Sequence, residues 1–301
     1  MTAWLVSIEG TALGAQIAMG LALVSAFAHA CFGAIQKGRH DPWATRGAID
    51  LWMVVLSLPM ALFLVPWPQG FEWLVVFGAL GIHFAYKLTM ALAYERAAYT
   101  VVYPVVRGTG PLATLAFAAL FLGEAYAPLQ WLGVALLSGA ILMLAGLNLR
   151  GAVVGRDALR TGLVWAFAGG LLVAVYTTYD AWGIRLTPDP FTFLAWFFLI
   201  GSLDFPALMA VRLARRGVWP GWNGALMTRG LIGALVAFVS FGGVMLGTRL
   251  GKVGEVAALR ETSTLFAALI GWAVLHEKTT ALRVALMGLI AFGAILVQAA
   301  G

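Results

Sequence analysis

Two arginines lie deep inside long apolar segments of the sequence, where a charged side chain usually faces a cavity or a partner. Arg107 stands about ten residues, or about 15 Å of helix, into one apolar run, and Arg260 stands about seven residues into another. A guanidinium group can hold a carboxylate or phosphate through two parallel hydrogen bonds, so this pair predicts an anionic ligand. The alternative is a structural tie to a helix end or to a neighbour such as Glu261, which is itself a candidate binding residue.

Other polar side chains share helix faces inside the same kind of run. Tyr103 lies one turn before Arg107, which makes Arg107 the first candidate for ligand contact. His83 and Lys87 are four residues apart on one face, with Tyr86 beside them. A lysine at this depth either pairs with an acid or binds an anion. His83 has packing inside the protein as its alternative role.

Acidic side chains in apolar runs could bind a cation or carry a proton. Tyr176 and Asp180 are aligned at four-residue spacing in a polar cluster, and they extend the candidate binding set. Asp50 and Asp204 occur in two runs that correspond between the halves of the chain. Either could be a proton carrier or the partner of an ammonium group. The alternative for both is an ion pair with Lys87 or with an arginine.

The sequence offers no pattern for enzymatic chemistry. It lacks the H-E-x-x-H, G-x-S-x-G and P-loop patterns. The four histidines are scattered, and none stands at metal-ligand spacing from another. We therefore predict no catalytic residues, no metal site, no cofactor and no enzymatic activity.

The composition excludes most soluble classes of protein. Hydrophobic residues make up 62% of the 301 residues, charged residues only 11%, and the mean hydropathy is +0.92. Soluble domains carry about 25% charged residues, so this chain has too few charges to cover a globule of its size. The net charge of +6 comes without a basic cluster suited to nucleic acid. An integral membrane protein is the class that remains.

Apolar runs long enough to cross a bilayer occur ten times, since a helical span needs about 20 such residues. The sequence predicts an all-α membrane protein with short loops. The ten predicted spans lie at roughly 16–36, 47–66, 72–94, 98–122, 127–149, 160–183, 190–211, 228–248, 254–276 and 280–299. Small residues in span 5 (Ala135 and Gly139) and in span 10 (Gly288) predict close helix packing there.

Four matches in the same order indicate an internal duplication. LVSAFA at 23–28 matches LVWAFA at 163–168, and DPW at 41–43 matches DPF at 189–191. Arg107 and Glu124 stand as far apart as Arg260 and Glu277, and between them Thr109 and Leu112 align with Thr262 and Leu265. We predict two units, residues 1–150 and 151–301, each with five spans. Because five is odd, the second unit is inverted relative to the first, an architecture used by transporters.

The basic residues predict how the chain is oriented. Of the 19 lysines and arginines, the loops after odd-numbered spans hold thirteen, while the termini and the other loops hold three. The bias of basic residues toward the cytoplasm then puts both termini on the non-cytoplasmic side of a cytoplasmic (inner) membrane.

The ten spans, the duplication and two sets of motifs resemble the drug/metabolite transporter superfamily, specifically its EamA-type permeases. The motifs are YPVVRGTGP at 103–111 with LGE at 122–124, and LRETS at 259–263 with LHE at 275–277. Within it, the chain resembles a branch associated with phosphonate utilisation, from which it departs at Cys31–Gly33. The resemblance implies a central cavity walled by spans 1, 3, 4, 6, 8 and 9. It also implies alternating access, with spans 5 and 10 peripheral.

Together these observations predict a secondary transporter for a small polar metabolite with a carboxylate or phosphonate group, such as an amino acid. The predicted partners are this substrate and the lipid bilayer, with a homodimer through the peripheral helices as a further prediction. Two alternatives stay open at this point. One is efflux of lipophilic cations or drugs, and the other is a membrane-embedded lipid-modifying protein.

Overall fold

The computed structural model describes residues 2–36, 42–97, 99–149, 156–216, 223–273 and 280–301. Regular secondary structure in these ranges is entirely helical. The helices are α1 (Thr2–Ser7), α2 (Ala12–Gln36), α3 (Pro42–Pro59, with a π-helical end at Met60–Leu64), α4 (Phe71–Tyr94), α5 (Tyr99–Phe121), α6 (Pro128–Leu149), α7 (Arg156–Leu186), α8 (Pro190–Gly201), α9 (Asp204–Arg216), α10 (Gly224–Ala237), a π-helical segment (Phe238–Gly242), α11 (Gly243–Leu250), α12 (Val253–Arg260), α13 (Ser263–Ala273) and α14 (Ala281–Ala299).

These helices occupy the ten predicted spans. Spans 1 to 6 are α2 to α7, span 7 is α8 with α9, span 8 is α10 with α11, span 9 is α12 with α13, and span 10 is α14. Nine helical runs in the described ranges are long and apolar enough to cross a bilayer. The predicted span 9 is interrupted after Arg260 and continues into residues outside these ranges. The chain is a multi-pass, all-helical membrane protein.

Besides the two π-helical segments, three local features depart from ten continuous α-helices. A short helix, α1, precedes span 1 and buries Leu5 in the core between spans 1, 5, 8, 9 and 10. Span 7 is broken between α8 and α9, and span 9 is broken between α12 and α13. Hydropathy averages over a window of about 19 residues, so it does not detect a break of two residues.

Several helices begin where the sequence carries a capping residue. Asp189 accepts a hydrogen bond from the backbone N–H of Phe191 (2.9 Å), and Pro190 follows it as the first residue of α8. Asn223 accepts from the N–H of Leu226 (2.9 Å) at the start of α10. These side chains satisfy backbone donors that a helix leaves unpaired at its N-terminus.

Each extensive contact between a span of the first half and a span of the second half has a counterpart in which the two halves are exchanged. Span 4 packs on span 6 and span 9 on span 1; span 3 packs on span 6 and span 8 on span 1. Span 2 contacts span 7, and span 5 contacts span 10. This pattern is consistent with two repeated five-helix units, and the unit boundary at residues 150 and 151 stays a prediction.

Spans 5 and 10 pack closely, but through other glycines than the sequence indicated. A Cβ atom on Gly133 would lie 2.7 Å from the carbonyl oxygen of Gly293, so the two backbones are almost in contact. Gly139 and Gly288 have open space beside them instead, and Ala135 is exposed. Small residues predict close packing without saying which face is used. The homodimer through these helices stays a prediction.

Candidate functional site

The break in span 9 positions two charged residues inside the helix bundle. α12 ends at Arg260, Glu261 follows it, and α13 begins at Ser263. The hydroxyl of Thr262 donates to the carbonyl of Leu259 (2.6 Å), which satisfies one of the acceptors that the end of α12 leaves. A short sequence of polar residues therefore interrupts an otherwise apolar span.

Arg107 is held by groups of the broken span. Its Nε atom lies 3.0 Å from Oε2 of Glu261, an ion pair without hydrogen-bond alignment, and its Nη2 donates to Oγ of Ser263 (2.8 Å). The guanidinium carbon also lies 5.9 Å from the centre of the Tyr103 ring, within cation–π range. Arg107 is 6% exposed, so its charge is balanced inside the protein by Glu261.

Arg260 has a different set of neighbours. Its guanidinium carbon lies 5.2 Å from the centre of the Phe241 ring, and Tyr176 lines the same cavity wall. Arg260 is 4% exposed, its Nε has no hydrogen-bond partner, and among the described residues it has no carboxylate in ion-pair contact. Among the described residues, Arg107 is thus the arginine in direct contact with an acid, and Arg260 is not.

The π-helical segment of span 8 brings Phe241 against Arg260. A π turn frees a backbone carbonyl from the regular ladder, and the Ser240 carbonyl here accepts from the Ser25 hydroxyl (2.5 Å). The Ser240 hydroxyl in turn lies 3.3 Å from Nδ1 of His29. His29 also contacts the Tyr103 hydroxyl at 3.5 Å, so span 1 joins the same group.

A further set of contacts joins span 3 to span 6. Nε2 of His83 and Oδ2 of Asp180 are 2.8 Å apart. The rings of His83 and Tyr176 face each other with centres 4.5 Å apart, and the Tyr86 ring meets Tyr176 edge-on at 5.2 Å. Asp180 is 4% exposed, and its other oxygen, Oδ1, has no hydrogen-bond partner.

A small cavity lies between spans 6, 8 and 9. Its volume is about 10 Å³, the space that a single water molecule needs. Arg260 and Asp180 are its charged lining residues. The full lining consists of Tyr176, Thr177, Asp180, Phe241, Val244, Met245, Thr248 and Arg260. A metabolite does not fit in this conformation, so the site must enlarge to bind one.

The remaining predicted residues form a second, separate group. Nζ of Lys87 lies 2.5 Å from Oδ2 of Asp204 and also donates to the carbonyl of Gly201 (3.1 Å), which the break in span 7 leaves free. Nε of Arg46 lies 2.9 Å from Oδ2 of Asp50, which is fully buried. None of these residues lines the cavity. The structure thus pairs each acid with a base, as the alternative interpretation of the sequence had it.

A network of hydrogen bonds closes the face of the bundle that carries both termini, which we call the termini face. Arg185 at the end of span 6 donates to Glu124 in the loop between spans 4 and 5 (2.7 Å) and to the carbonyls of Gly251 (2.9 Å) and Thr248 (2.9 Å). Glu124 also accepts from the N–H of Val253 at the start of span 9 (2.8 Å). Spans 6, 8 and 9, which line the cavity, are therefore joined at this face.

Two further contacts strengthen the termini face. The Tyr126 hydroxyl donates to Glu124 and accepts from the N–H of Gly254 (2.8 Å). Burial and the neighbouring Glu124 carboxylate raise the pKa of the Tyr126 hydroxyl, so it keeps its proton and remains a donor. Nε of Arg249 contacts Glu9 (2.5 Å), which fixes the segment after α1 to span 8.

The structure brings together most of the residues that the sequence singled out. Seven of them form one connected group: Tyr103, Arg107, Arg260, Glu261, Tyr176, His83 and Asp180, with Tyr86 beside Tyr176. Sequence reasoning missed Phe241 and Arg185. The position of Phe241 depends on the π turn, which has no sequence signature. Arg185 could have been noticed, because it is one of only three basic residues outside the spans on its face.

Comparison with known proteins agrees with this architecture. Residues 160–299 match the model of the EamA-like transporter family. A solved structure titled only as the crystal structure of a protein has the same fold, with a TM-score of 0.74, 18% identity, and coverage of 95% of this chain and 98% of that one. Among the curated proteins, no sequence matches. The family motifs at 275–277 lie outside the described residues. The second half of the chain is therefore similar to the EamA-like transporter family, whose members are membrane transporters.

Proposed function

We propose that this transporter moves a small polar metabolite with a carboxylate or phosphonate group, and that Arg260 binds that group. The observation that carries this proposal is the buried Arg260 guanidinium on the cavity wall, with an Nε that has no hydrogen-bond partner. Asp180 lines the same cavity but makes no ion pair with Arg260, so the guanidinium group keeps a donor that an anionic group can use. Arg107 already contacts an acid, Glu261.

The second charged group of the cavity supports an amino-acid-like substrate. Oδ1 of Asp180 is buried and has no partner, so it can accept a hydrogen bond from an ammonium or hydroxyl group of the substrate. Efflux of lipophilic cations is the competing function, and it would use Asp180 alone. Arg260 argues against cation efflux, because its guanidinium group lines the same small cavity and repels a cation.

Transport by alternating access would begin from the closed state seen here. Opening toward the termini face requires Arg185 to separate from Glu124 and from the carbonyls at the end of span 8. The cavity could then widen between spans 6, 8 and 9. With basic residues concentrated in the loops of the opposite face, we place the termini face outside a cytoplasmic (inner) membrane.

Uptake into proteoliposomes is the direct test. Purified protein would be challenged with labelled compounds of matched size: zwitterionic amino acids, monocarboxylates, phosphonates and quaternary amines. We expect accumulation of at least one anionic or zwitterionic compound, and its loss in Arg260→Lys. Transport of the quaternary amines alone would support the competing function, and failure of every anion and zwitterion would overturn the proposal.

A further inference from the structure

Four carboxylates in the described parts of the spans have a basic partner, three of them buried and Asp204 partly buried, and one of these partners is a histidine. The four pairs are Asp50 with Arg46 (2.9 Å), Asp204 with Lys87 (2.5 Å), Glu261 with Arg107 (3.0 Å) and Asp180 with His83 (2.8 Å). Arginine keeps its charge at physiological pH, and lysine ordinarily loses its proton only well above neutral pH. Imidazole ordinarily gains and loses its proton between pH 5 and 8.

The histidine pair is also the one that reaches the cavity. Asp180 lines it and has a buried oxygen, Oδ1, without a hydrogen-bond partner, while its Oδ2 contacts His83. The other three carboxylates do not line the cavity. A change in the charge of His83 therefore changes the electrostatic potential at the substrate site through one carboxylate, that of Asp180.

The surroundings of His83 suit an imidazolium ion. The Tyr176 ring faces the imidazole at 4.5 Å, a cation–π geometry, and the Phe197 ring meets it at 4.9 Å. Nε2–H would keep donating to Asp180 while a proton from the bulk adds to Nδ1. Other titratable or charged groups on the elements around this pair are Tyr86 and Lys87 on span 3, Tyr176 and Tyr179 on span 6, Tyr103 and Arg107 on span 4, and Arg260 on span 9. Lys87 is engaged by Asp204 and Arg107 by Glu261.

The charge balance of the cavity then couples this proton to the substrate. With His83 neutral, Arg260 and Asp180 cancel, and a bound monoanion leaves one negative charge uncompensated in a buried site. With His83 protonated, the same anion restores neutrality. We propose that the His83–Asp180 pair is a proton site, and that the transporter takes up a proton together with each net negative charge of its substrate. This inference rests on the proposed function, since it requires an anion at Arg260.

Calorimetric titration in buffers of different ionisation enthalpy measures the protons taken up on binding. The probes are L-lactate and methylphosphonate as anions, with L-alanine as a zwitterion of nearly the same size as lactate. At pH 7 we expect uptake of up to about one proton per lactate and none for alanine, and lactate affinity that rises as the pH falls.

Two variants with opposite expected effects separate the proton site from a structural role. His83→Gln keeps a hydrogen bond to Asp180 but cannot take a proton, so proton uptake should vanish and lactate should bind about tenfold more weakly at pH 6. Asp180→Asn removes the negative charge, so lactate should bind without proton uptake and without pH dependence. His29→Gln is the control, because His29 contacts hydroxyl groups and no carboxylate among the described residues.

The outcomes distinguish this inference from the proposed function. Binding of lactate or methylphosphonate without proton uptake, or full proton uptake in His83→Gln, would overturn the proton site alone. Loss of proton uptake in His29→Gln but not in His83→Gln would assign the proton elsewhere and also overturn it. If neither anion binds and the proteoliposome panel contains no transported anion, the proposed function and the proton site fail together.

Discussion

At the scale of single residues, the two central arginines differ in their partners rather than in their depth. Both are buried, yet Arg107 contacts Glu261 and Ser263, while Arg260 lies against Phe241 and lines the cavity with Tyr176 and Asp180. The sequence favoured Arg107 because Tyr103 shares its helix face. That contact exists, but it belongs to a side chain whose charge is already balanced.

We expect the two arginines to respond differently to replacement by lysine, which keeps the charge but loses the planar fork. Arg260→Lys should fold normally and lose about tenfold to a hundredfold in substrate affinity, since a charge-assisted hydrogen bond contributes about 1.5–3 kcal/mol. Arg107→Lys should instead lower the thermal stability. Parallel measurement of melting temperature and substrate affinity checks both. Unchanged affinity in both variants would remove the arginines from the site.

At the scale of helices, the glycines between spans 5 and 10 give a matched pair of substitutions. A Cβ on Gly133 would lie 2.7 Å from a backbone oxygen and 2.9 Å from Val297, whereas Gly139 on the same helix has no neighbour within 4 Å. Gly133→Ala should destabilise the protein by about 1–3 kcal/mol, because the Gly293 backbone cannot move aside easily. Gly139→Ala should be neutral or slightly stabilising. Thermal melting in detergent measures both, and equal melting temperatures would contradict the close approach.

The closure of the termini face gives a further prediction about elements. Replacing Glu124 by Gln weakens its contact with Arg185, so spans 6, 8 and 9 should separate more often at this face. A cysteine at Thr248, which lines the cavity, should then react about tenfold faster with a small charged thiol reagent, in a background where Cys31 is serine.

Lys252→Gln is the control for this experiment. Lys252 pairs with Glu255 at the same face (3.4 Å) and its Nζ lies 5.8 Å from the centre of the Tyr126 ring, but its side chain is 43% exposed and makes no ion pair with spans 6 or 8 among the described residues. We expect labelling at the original rate in that variant. If Glu124→Gln and Lys252→Gln behave alike, the Glu124–Arg185 contact is not what closes this face.

How far the sequence predicted these elements depended on the kind of signal. Spans and their order follow from apolar run length, which is a strong signal, and the positions of Arg107 and Arg260 follow with them. The breaks at 202–203 and 261–262 and the π turn at Phe238–Gly242 depend on tertiary contacts, such as Lys87 with the carbonyl of Gly201. These irregular segments position Arg260 and Phe241, so the detailed site could not be derived from periodicity.

At the scale of the whole molecule, the orientation of the chain is open to a simple experiment. The loops after odd-numbered spans hold thirteen basic residues, and the termini and other loops hold three. This difference predicts that both termini lie outside the cytoplasm. A reporter that is active only in the cytoplasm should be silent when fused after Gly301, and a reporter that is active only outside should be active there. A strong cytoplasmic signal would contradict the charge bias.

The water-sized cavity has a consequence for the cell that carries this protein. A continuous file of water through a membrane protein lets ions leak, and this leak dissipates any ion gradient across the membrane. Here the polar interior ends in a space for about one molecule, bounded by Phe241, Val244 and Met245 and closed at one face by the Glu124–Arg185 network. A conformation with so small a cavity should therefore not conduct ions through this part of the bundle.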